Sequence, residues 1–153
     1  MRWRELTDGE WAELSPGLGD ALRRAGVVPC IRPREHLFAR LAGLWFGRAP
    51  IMALGRTIWW LGAAADFAGS AAMAVLQHEL QHLLDYAEGR LSALGYVLNA
   101  RDWRYGYVLA PGLTWDDLGA EQRASVAEDL WRCEASGETA RAAALRALIP
   151  WAR

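Results

Sequence analysis

The chain has 153 residues, of which 53% are hydrophobic and 23% are charged, and its formal net charge is -1. This length and composition exclude an intrinsically disordered protein and predict a single domain over residues 1–153. The balance of 17 basic and 18 acidic residues creates no strong field for nucleic acid or anionic lipid, so neither is an expected partner.

Three features of the sequence indicate the expected compartment: the N-terminus, one apolar stretch and the two cysteines. The N-terminus is charged and lacks the apolar core of a secretory signal, so the cytoplasm is the default location, with non-classical export left open. The apolar stretch 57–76 contains Gly62, Asp66 and Gly69, and therefore predicts a buried strand, a loop and a buried helix rather than a membrane span. Cys30 and Cys133 are too few for a disulfide scaffold, which favours free thiols.

The first third of the chain alternates short helices with a strand. Thr7 and Glu10 have the spacing of a capping box, so a helix is expected to begin at Asp8. A second amphipathic helix follows over 18–26, and the apolar residues of 27–31 predict a short strand. Leu37, Leu41 and Leu44 recur at the spacing of a helix, which indicates a third helical stretch.

The rest of the chain adds two β-segments and three helices. The β-segments are 51–54 and 57–61, and the next helix is capped by Asp66 or Ser70 and ends near Glu88, before Gly89. Alternating apolar residues then predict a strand over 105–109. Thr114, Asp116 or Asp117 can start the next helix, which is expected to cover 121–133. A last helix is predicted over 138–148. These elements predict a helix-rich α+β domain with a small β-sheet.

The informative motif lies on the helix before Gly89. His78, Glu79 and His82 form an HExxH pattern. Residues four apart lie on nearly the same face of a helix, so both imidazoles can reach one tetrahedral zinc ion at about 2.0–2.1 Å. Glu79 lies about 100° further round the helix, beside the metal position, where a base for the attacking water must stand.

A zinc hydrolase also needs a third protein ligand and an open position for water. Asp85 shares a face with His78, but seven residues along a helix span about 10.5 Å, so Asp85 is expected to be a partner of a ligand or a solvated acid. The downstream helix offers Glu121 and Glu128, which are seven residues apart and share a face. The spacing does not choose between them, although a surface ion pair is favoured for Glu128.

Several short motifs occur in the order found in a known family. The chain resembles gluzincin-type metallopeptidases, and more closely the small bacterial zincin-like domains called Vgr-related proteins. The resemblance covers about residues 4–130 and rests on His78-Glu79-Leu80-x-His82 together with weaker matches: Arg4-x-Leu6-Thr7-x-Gly9-Glu10, Gly55-Arg56-Thr57-Ile58, Asp66-Phe67-Ala68, Tyr105-x-Tyr107-x-Leu109-x-x-Gly112 and Glu121-Gln122-x-Ala124. It implies a zincin-like fold, His78 and His82 as zinc ligands, Glu79 as general base and Glu121 as third ligand. It also implies a partner in a secretion or phage-tail-like system.

The substrate of such an enzyme is expected to be a peptide or protein. The strand around 57–61 would then be the sheet edge along which an extended peptide lies. The predicted substrate-binding residues are Thr57, Ile58, Trp59, Trp60, Tyr105 and Tyr107. Negative charge on the attacked carbonyl needs a stabilising donor, and the candidates are Tyr105, Tyr107, Arg101 and Arg104.

The sequence therefore predicts a zinc-dependent peptide-bond hydrolase with a glutamate that activates water. The alternative is a catalytically silent binding or assembly module of the same fold, serving a toxin, secretion or phage-tail-like system. Metal content and cleavage of unstructured protein distinguish the two.

Overall fold

The first N-terminal helix begins where its predicted capping box places it. The computed structural model describes residues 3–37, 39–40 and 51–153. Helix α1 covers Asp8–Ala12 and α2 covers Leu18–Arg24. The capping box is confirmed, since the Glu10 amide donates to Thr7 Oγ1 at 3.1 Å and the Thr7 amide donates to Glu10 Oε2 at 2.8 Å. Leu37 has helical backbone, whereas Leu41 and Leu44 lie outside the described residues.

Four short strands form one mixed sheet. Strand β1 is Arg4–Glu5, β2 is Cys30–Arg32, β3 is Met52–Leu54 and β4 is Thr57–Trp59. Their order is β1-β2-β4-β3, with β2 parallel to β4 and the other two pairs antiparallel. The hairpin between β3 and β4 turns at Gly55, whose φ of 61° lies in the left-handed region that favours glycine.

Helix α3 covers Ala72–Ala87 and carries the HExxH motif. Its predicted caps are wrong: the N-cap is Ala71, which has no side-chain cap. Asp66 instead accepts a hydrogen bond from the Thr7 hydroxyl, and Ser70 donates to the Phe67 carbonyl, because both residues stabilise the loop before the helix. The predicted stop is confirmed, since the helix is followed by Gly89 with φ of 71°.

The C-terminal half contains one helix that the sequence did not predict. Helix α4 covers Ala93–Leu98, and 3-10 turns follow at Ala100–Trp103 and Trp115–Asp117. Helices α5 and α6 cover Ala120–Ser136 and Thr139–Leu148, and a last 3-10 turn covers Pro150–Ala152. The predicted strand over 105–109 is wrong, because this stretch has no regular backbone hydrogen bonding and is held through side chains.

The core lies on both sides of α3. This helix packs against α5 and against β3. Ile31 of β2 and Ile58 of β4 are neighbours across the parallel pair, and both are completely buried. The helix-rich α+β architecture with a small sheet is confirmed. Both cysteines are free thiols, and among the described residues no helix is long and apolar enough to cross a membrane.

Candidate metal centre

Helix α3 brings the two motif histidines together in the interior. Every residue from Leu76 to Asp85 is buried, including the charged and polar ones. The four-residue spacing places the rings of His78 and His82 5.0 Å apart, centroid to centroid. The helix therefore presents both imidazoles to the same neighbour, helix α5.

Helix α5 supplies the carboxylate between the two rings. Glu121 Oε2 lies 3.0 Å from His78 Nε2 and 3.4 Å from His82 Nε2. The ligand atoms of all three residues lie within 4.8 Å of one another. In a tetrahedral site with bonds of 2.0–2.1 Å, neighbouring ligand atoms are about 3.3 Å apart, so the spacing of the buried triad suits one metal ion. The nitrogen and carboxylate donors are those used by zinc and other transition metals.

The charges of the triad are strongly coupled. Burial alone would lower the pKa of His78, but hydrogen bonds to Glu121 and Glu128 raise it to about 10. Burial would raise the pKa of Glu121, yet the hydrogen bonds from His78 and His82 hold it far below its ordinary value. The positive charge favoured on His78 therefore faces the negative charge favoured on Glu121, and a bound cation would take over that role.

Glu128 contacts the opposite edge of the first histidine. Its Oε2 atom lies 3.2 Å from His78 Nδ1, and its Oε1 atom accepts a hydrogen bond of 2.7 Å from Arg132. The expected surface ion pair is present, but Glu128 also fixes the ring of His78 so that Nε2 points to Glu121. Of the two carboxylates that the sequence left open, the structure places Glu121 within the triad and Glu128 outside it.

Glu79 and His82 of the motif each have a buried polar atom without a hydrogen-bond partner among the described residues, Oε2 and Nδ1 respectively. Glu79 is the candidate for chemistry. Its side chain is buried, and its Oε2 atom has no hydrogen-bond partner among the described residues. Burial raises its pKa, against the opposing effect of the two histidines. A buried carboxylate oxygen without a partner beside a potential metal site fits a residue that acts on a bound water or substrate.

Tyr96 was not identified by the sequence analysis. It lies on α4, and its hydroxyl donates a hydrogen bond of 2.6 Å to Glu121 Oε1, which leaves Oε2 facing the histidines. Burial and the neighbouring carboxylate raise the pKa of this phenol. The local signal was weak, since Ser92 caps the helix but Gly95 lies within it, and glycine disfavours helices.

The two predicted tyrosines have different positions. The ring of Tyr105 stacks on that of His78 with centroids 6.0 Å apart, and burial and a hydrogen bond to Glu121 raise its pKa. Tyr107 instead donates a hydrogen bond of 2.5 Å to Asp129. The structure therefore places Tyr105 beside His78 of the triad, whereas Tyr107 pairs with Asp129, further along α5 than Glu121.

The predicted position of strand 57–61 at an edge of the sheet is wrong, whereas the substrate contacts predicted for its residues stay a prediction. Strand β4 lies between β2 and β3, so its backbone groups are already paired on both sides. Ile58 is completely buried in the core, Trp59 packs under the guanidinium groups of Arg32 and Arg34, and the ring of Trp60 stacks on Phe67. Thr57 is a half-buried partner of β2 and β3. Among the described strands, the outer ones are β1 and β3.

Asp85 is a structural residue that helps to join the two helices of the site. It is completely buried, so the expectation of a solvated acid is wrong. Its carboxylate accepts hydrogen bonds of 2.8 Å from Arg123 Nε on α5 and 2.9 Å from Gln81 on its own helix. Arg123 also donates to the Leu118 carbonyl at 2.6 Å.

Comparison with known proteins supports the architecture. No protein-family model matches the sequence, and no curated protein sequence matches it. The structure is similar to the effector domain of Pseudomonas aeruginosa VgrG2b, with a TM-score of 0.72 and 23% sequence identity. The match covers 95% of this chain and 83% of that domain. The chain therefore has the fold of a VgrG-type effector domain.

Proposed function

We propose that this protein is a zinc-dependent metallopeptidase that cuts peptide bonds in polypeptide substrates. The observation that carries the proposal is the convergence of two imidazole nitrogens and one carboxylate oxygen within 4.8 Å, in the interior and on two packed helices. The HExxH spacing adds Glu79 beside the same triad. His78, His82 and Glu121 would hold the ion and leave a fourth position open, as catalytic zinc sites require.

The residues around the triad suit hydrolysis. Zinc in such a site supplies polarisation of the scissile carbonyl and makes water more acidic. Glu79 accepts the proton of the attacking water and then transfers it to the leaving amine nitrogen. Its raised pKa suits a carboxylate that must hold a proton between these steps. Tyr105, stacked on His78, is the nearest of the predicted donors for the negative charge that develops on the carbonyl oxygen.

The substrate backbone is proposed to lie along β3. This strand is an outer strand among those described, and it packs against α3. An extended peptide can add to such an edge through its main-chain hydrogen bonds. Residues 93–109, between the two ligand helices, would then face the peptide from the other side of the triad.

Two measurements on the purified protein test the proposal. Metal analysis should find one equivalent of zinc per chain, which a chelator removes together with cleavage of an unfolded protein substrate. Glu79→Gln should retain the zinc and lose turnover, because only the proton acceptor is removed. Glu88→Gln, the same change at the exposed end of α3, should retain both. A chain that cleaves equally well with Glu79→Gln, or that never binds zinc, would contradict the mechanism; zinc without any cleavage would favour the binding-module alternative.

We further propose that the chain acts as an effector delivered by a secretion machine. The fold shared with a VgrG2b effector domain supports this. Expression of the chain in the cytoplasm, or with an added export signal in the periplasm, should inhibit bacterial growth in the compartment that holds its substrate. The Glu79→Gln variant should be harmless in both, and equal toxicity of the two proteins would contradict an effector role based on cleavage.

A further inference from the structure

The residues between the two ligand helices expose an unusual number of large apolar side chains. We call residues 93–109 the apolar segment; it comprises α4, the 3-10 turn Ala100–Trp103 and the irregular stretch that follows. Among the described residues, seven of the eleven exposed large apolar side chains lie in it. On α4 and the turn these are Leu94, Val97, Leu98 and Trp103, and beyond the turn Tyr105, Val108 and Leu109.

The apolar segment is attached to the protein by its polar groups. Asp102 accepts a hydrogen bond of 2.9 Å from the Ala120 amide at the start of α5, and Gln122 donates one of 2.6 Å to the Gly106 carbonyl. Arg101 donates to the Asp116 carbonyl at 2.7 Å. By contrast, neither α4 nor the following turn contains a buried residue.

This arrangement reverses the usual one, in which apolar side chains face the core and polar ones face water. The exposure is not a result of a loose attachment, because these bonds fix the backbone at several points. Exposed large apolar side chains concentrated in one segment are typical of a site that binds another molecule.

The apolar segment is continuous with the metal centre. Tyr96 on α4 donates to Glu121, and the Tyr105 ring stacks on His78. Leu98 and Val108, which are 75% and 80% exposed, therefore lie within a few residues of side chains that contact the triad. The apolar segment therefore adjoins the triad through Tyr96 and Tyr105.

We propose that the apolar segment is the substrate-recognition surface and that the substrates are unfolded polypeptides presenting large apolar side chains. This inference rests on the proposed function. Folded proteins bury most such side chains, whereas an unfolded chain offers them together with an extended backbone. A lipid surface fits less well, because the segment holds only Arg101 and Arg104 against Asp102, and the guanidinium of Arg101 already binds a carbonyl.

A binding experiment without turnover tests the recognition surface. The probe is a labelled unstructured peptide rich in Leu and Phe, paired with the same peptide carrying Ser at those positions. Fluorescence anisotropy is measured on metal-free protein and on the Glu79→Gln variant. Only the apolar peptide should bind, and Leu98→Ser/Val108→Ser should weaken its binding by about tenfold or more, since two apolar contacts are lost. The matched control Val28→Ser/Leu37→Ser changes exposed residues outside the segment and should bind like the parent.

The outcomes separate this inference from the proposed function. If peptide binding depends on the segment but no zinc is bound, the proposed function fails and the recognition surface stands. If the protein cleaves but both double variants have the parent's peptide affinity and KM, the inference fails and the function stands. It is also overturned if Leu98→Ser/Val108→Ser abolishes binding to vesicles of phosphatidylcholine and phosphatidylglycerol, or separates a dimer, while peptide affinity is unchanged.

Discussion

Helix α3 and the apolar segment meet at the same candidate metal centre but are built in opposite ways. From Leu76 to Asp85, α3 buries every residue, including two histidines and four other charged or polar side chains, one of which is Glu79. The apolar segment buries no residue in α4 or in the turn that follows. One side of the site is a packed interior, and the other is a surface held by hydrogen bonds.

The difference separates two tasks. Polar residues of α3 are fixed by distant parts of the chain: Gln77 accepts from the Ser15 amide, Gln81 accepts from the Trp151 indole at 2.8 Å, and Asp85 accepts from Arg123. Such bonds hold helix α3 in one position, as a metal site on it would require. The apolar segment instead keeps its large side chains exposed on a backbone that hydrogen bonds hold in place, which suits contact with another chain.

The largest effect is expected when the buried ion pair between Asp85 of α3 and Arg123 of α5 is broken. Asp85→Asn should destabilise the fold by about 3–5 kcal/mol, because Arg123 then keeps a buried charge without its partner. Urea unfolding of the metal-free protein measures this. The double replacement Asp85→Leu/Arg123→Leu should recover much of the loss.

The exposed pair of Arg23 and Asp20 provides the control for this prediction. Both side chains are more than half exposed, so Asp20→Asn should change the free energy of unfolding by less than about 1 kcal/mol. Equal effects of the two substitutions would show that α3 and α5 are not held together by the buried pair.

The same contrast explains what the sequence could predict. The His78, Glu79 and His82 arrangement depends on the period of one helix, so it is local and was read directly from the spacing. Glu121 was one of two candidates, because its selection depends on how α5 packs against α3. The apolar pattern of 57–61 identified a strand, but its inner position depends on parallel pairing with β2, which lies 27 residues earlier at matched positions such as Ile31 and Ile58.

The apolar segment was the least predictable part. Its apolar residues suggested a strand over 105–109, since alternation usually reports burial on one face. Here the alternation does not report a buried face: Tyr105 and Leu109 are exposed, and only Tyr107 between them packs against the core. The backbone is fixed instead by the hydrogen bonds of Gln122 to Gly106 and of Tyr107 to Asp129. Sequence patterns assume that apolar residues face the interior, so a surface built for another molecule misleads them.

The next largest effect is expected at Tyr96, which connects the apolar segment to Glu121 of the triad. Tyr96→Phe removes the hydrogen bond that orients Glu121, and should weaken zinc binding by about 10- to 100-fold with little change in the stability of the metal-free fold. Competition with a chromophoric chelator measures the affinity, and the visible spectrum of the cobalt-loaded protein should change. Tyr107→Phe is the matched control, because its hydroxyl binds Asp129; an equal loss of affinity in both variants would contradict a specific role for Tyr96.

A smaller effect is expected where the apolar segment touches α5. A Cβ atom added to Gly119 would clash with the backbone carbonyl oxygen of Arg101, so Gly119→Ala must displace the segment. We expect a loss of about 1–2 kcal/mol in stability, together with weaker binding of the apolar peptide. Gly106→Ala, in the same segment but with open space around it, should change neither. If Gly119→Ala left the hydrogen exchange of the segment's amides unaltered, the packing of Gly119 against the Arg101 backbone would not be what holds the apolar segment in place.

The stability of the loop that leads into α3 should also depend on acidic pH, through Glu10 on α1. Glu10 is completely buried and receives hydrogen bonds from Arg4 and from the Thr7 and Phe67 amides, the last of which lies in the loop before α3. Burial opposes its ionisation, but these bonds together lower its pKa below the ordinary value of 4.5. Its contribution to stability is therefore complete above about pH 4.5 and is lost as the pH falls through the lower pKa of the folded state. Urea unfolding at a series of acidic pH values should show an extra slope of up to about 1.4 kcal/mol per pH unit, which Glu10→Gln lacks. The mutant cannot take up this proton, so parallel slopes for the two proteins would show that the loop before α3 does not depend on the charge of Glu10.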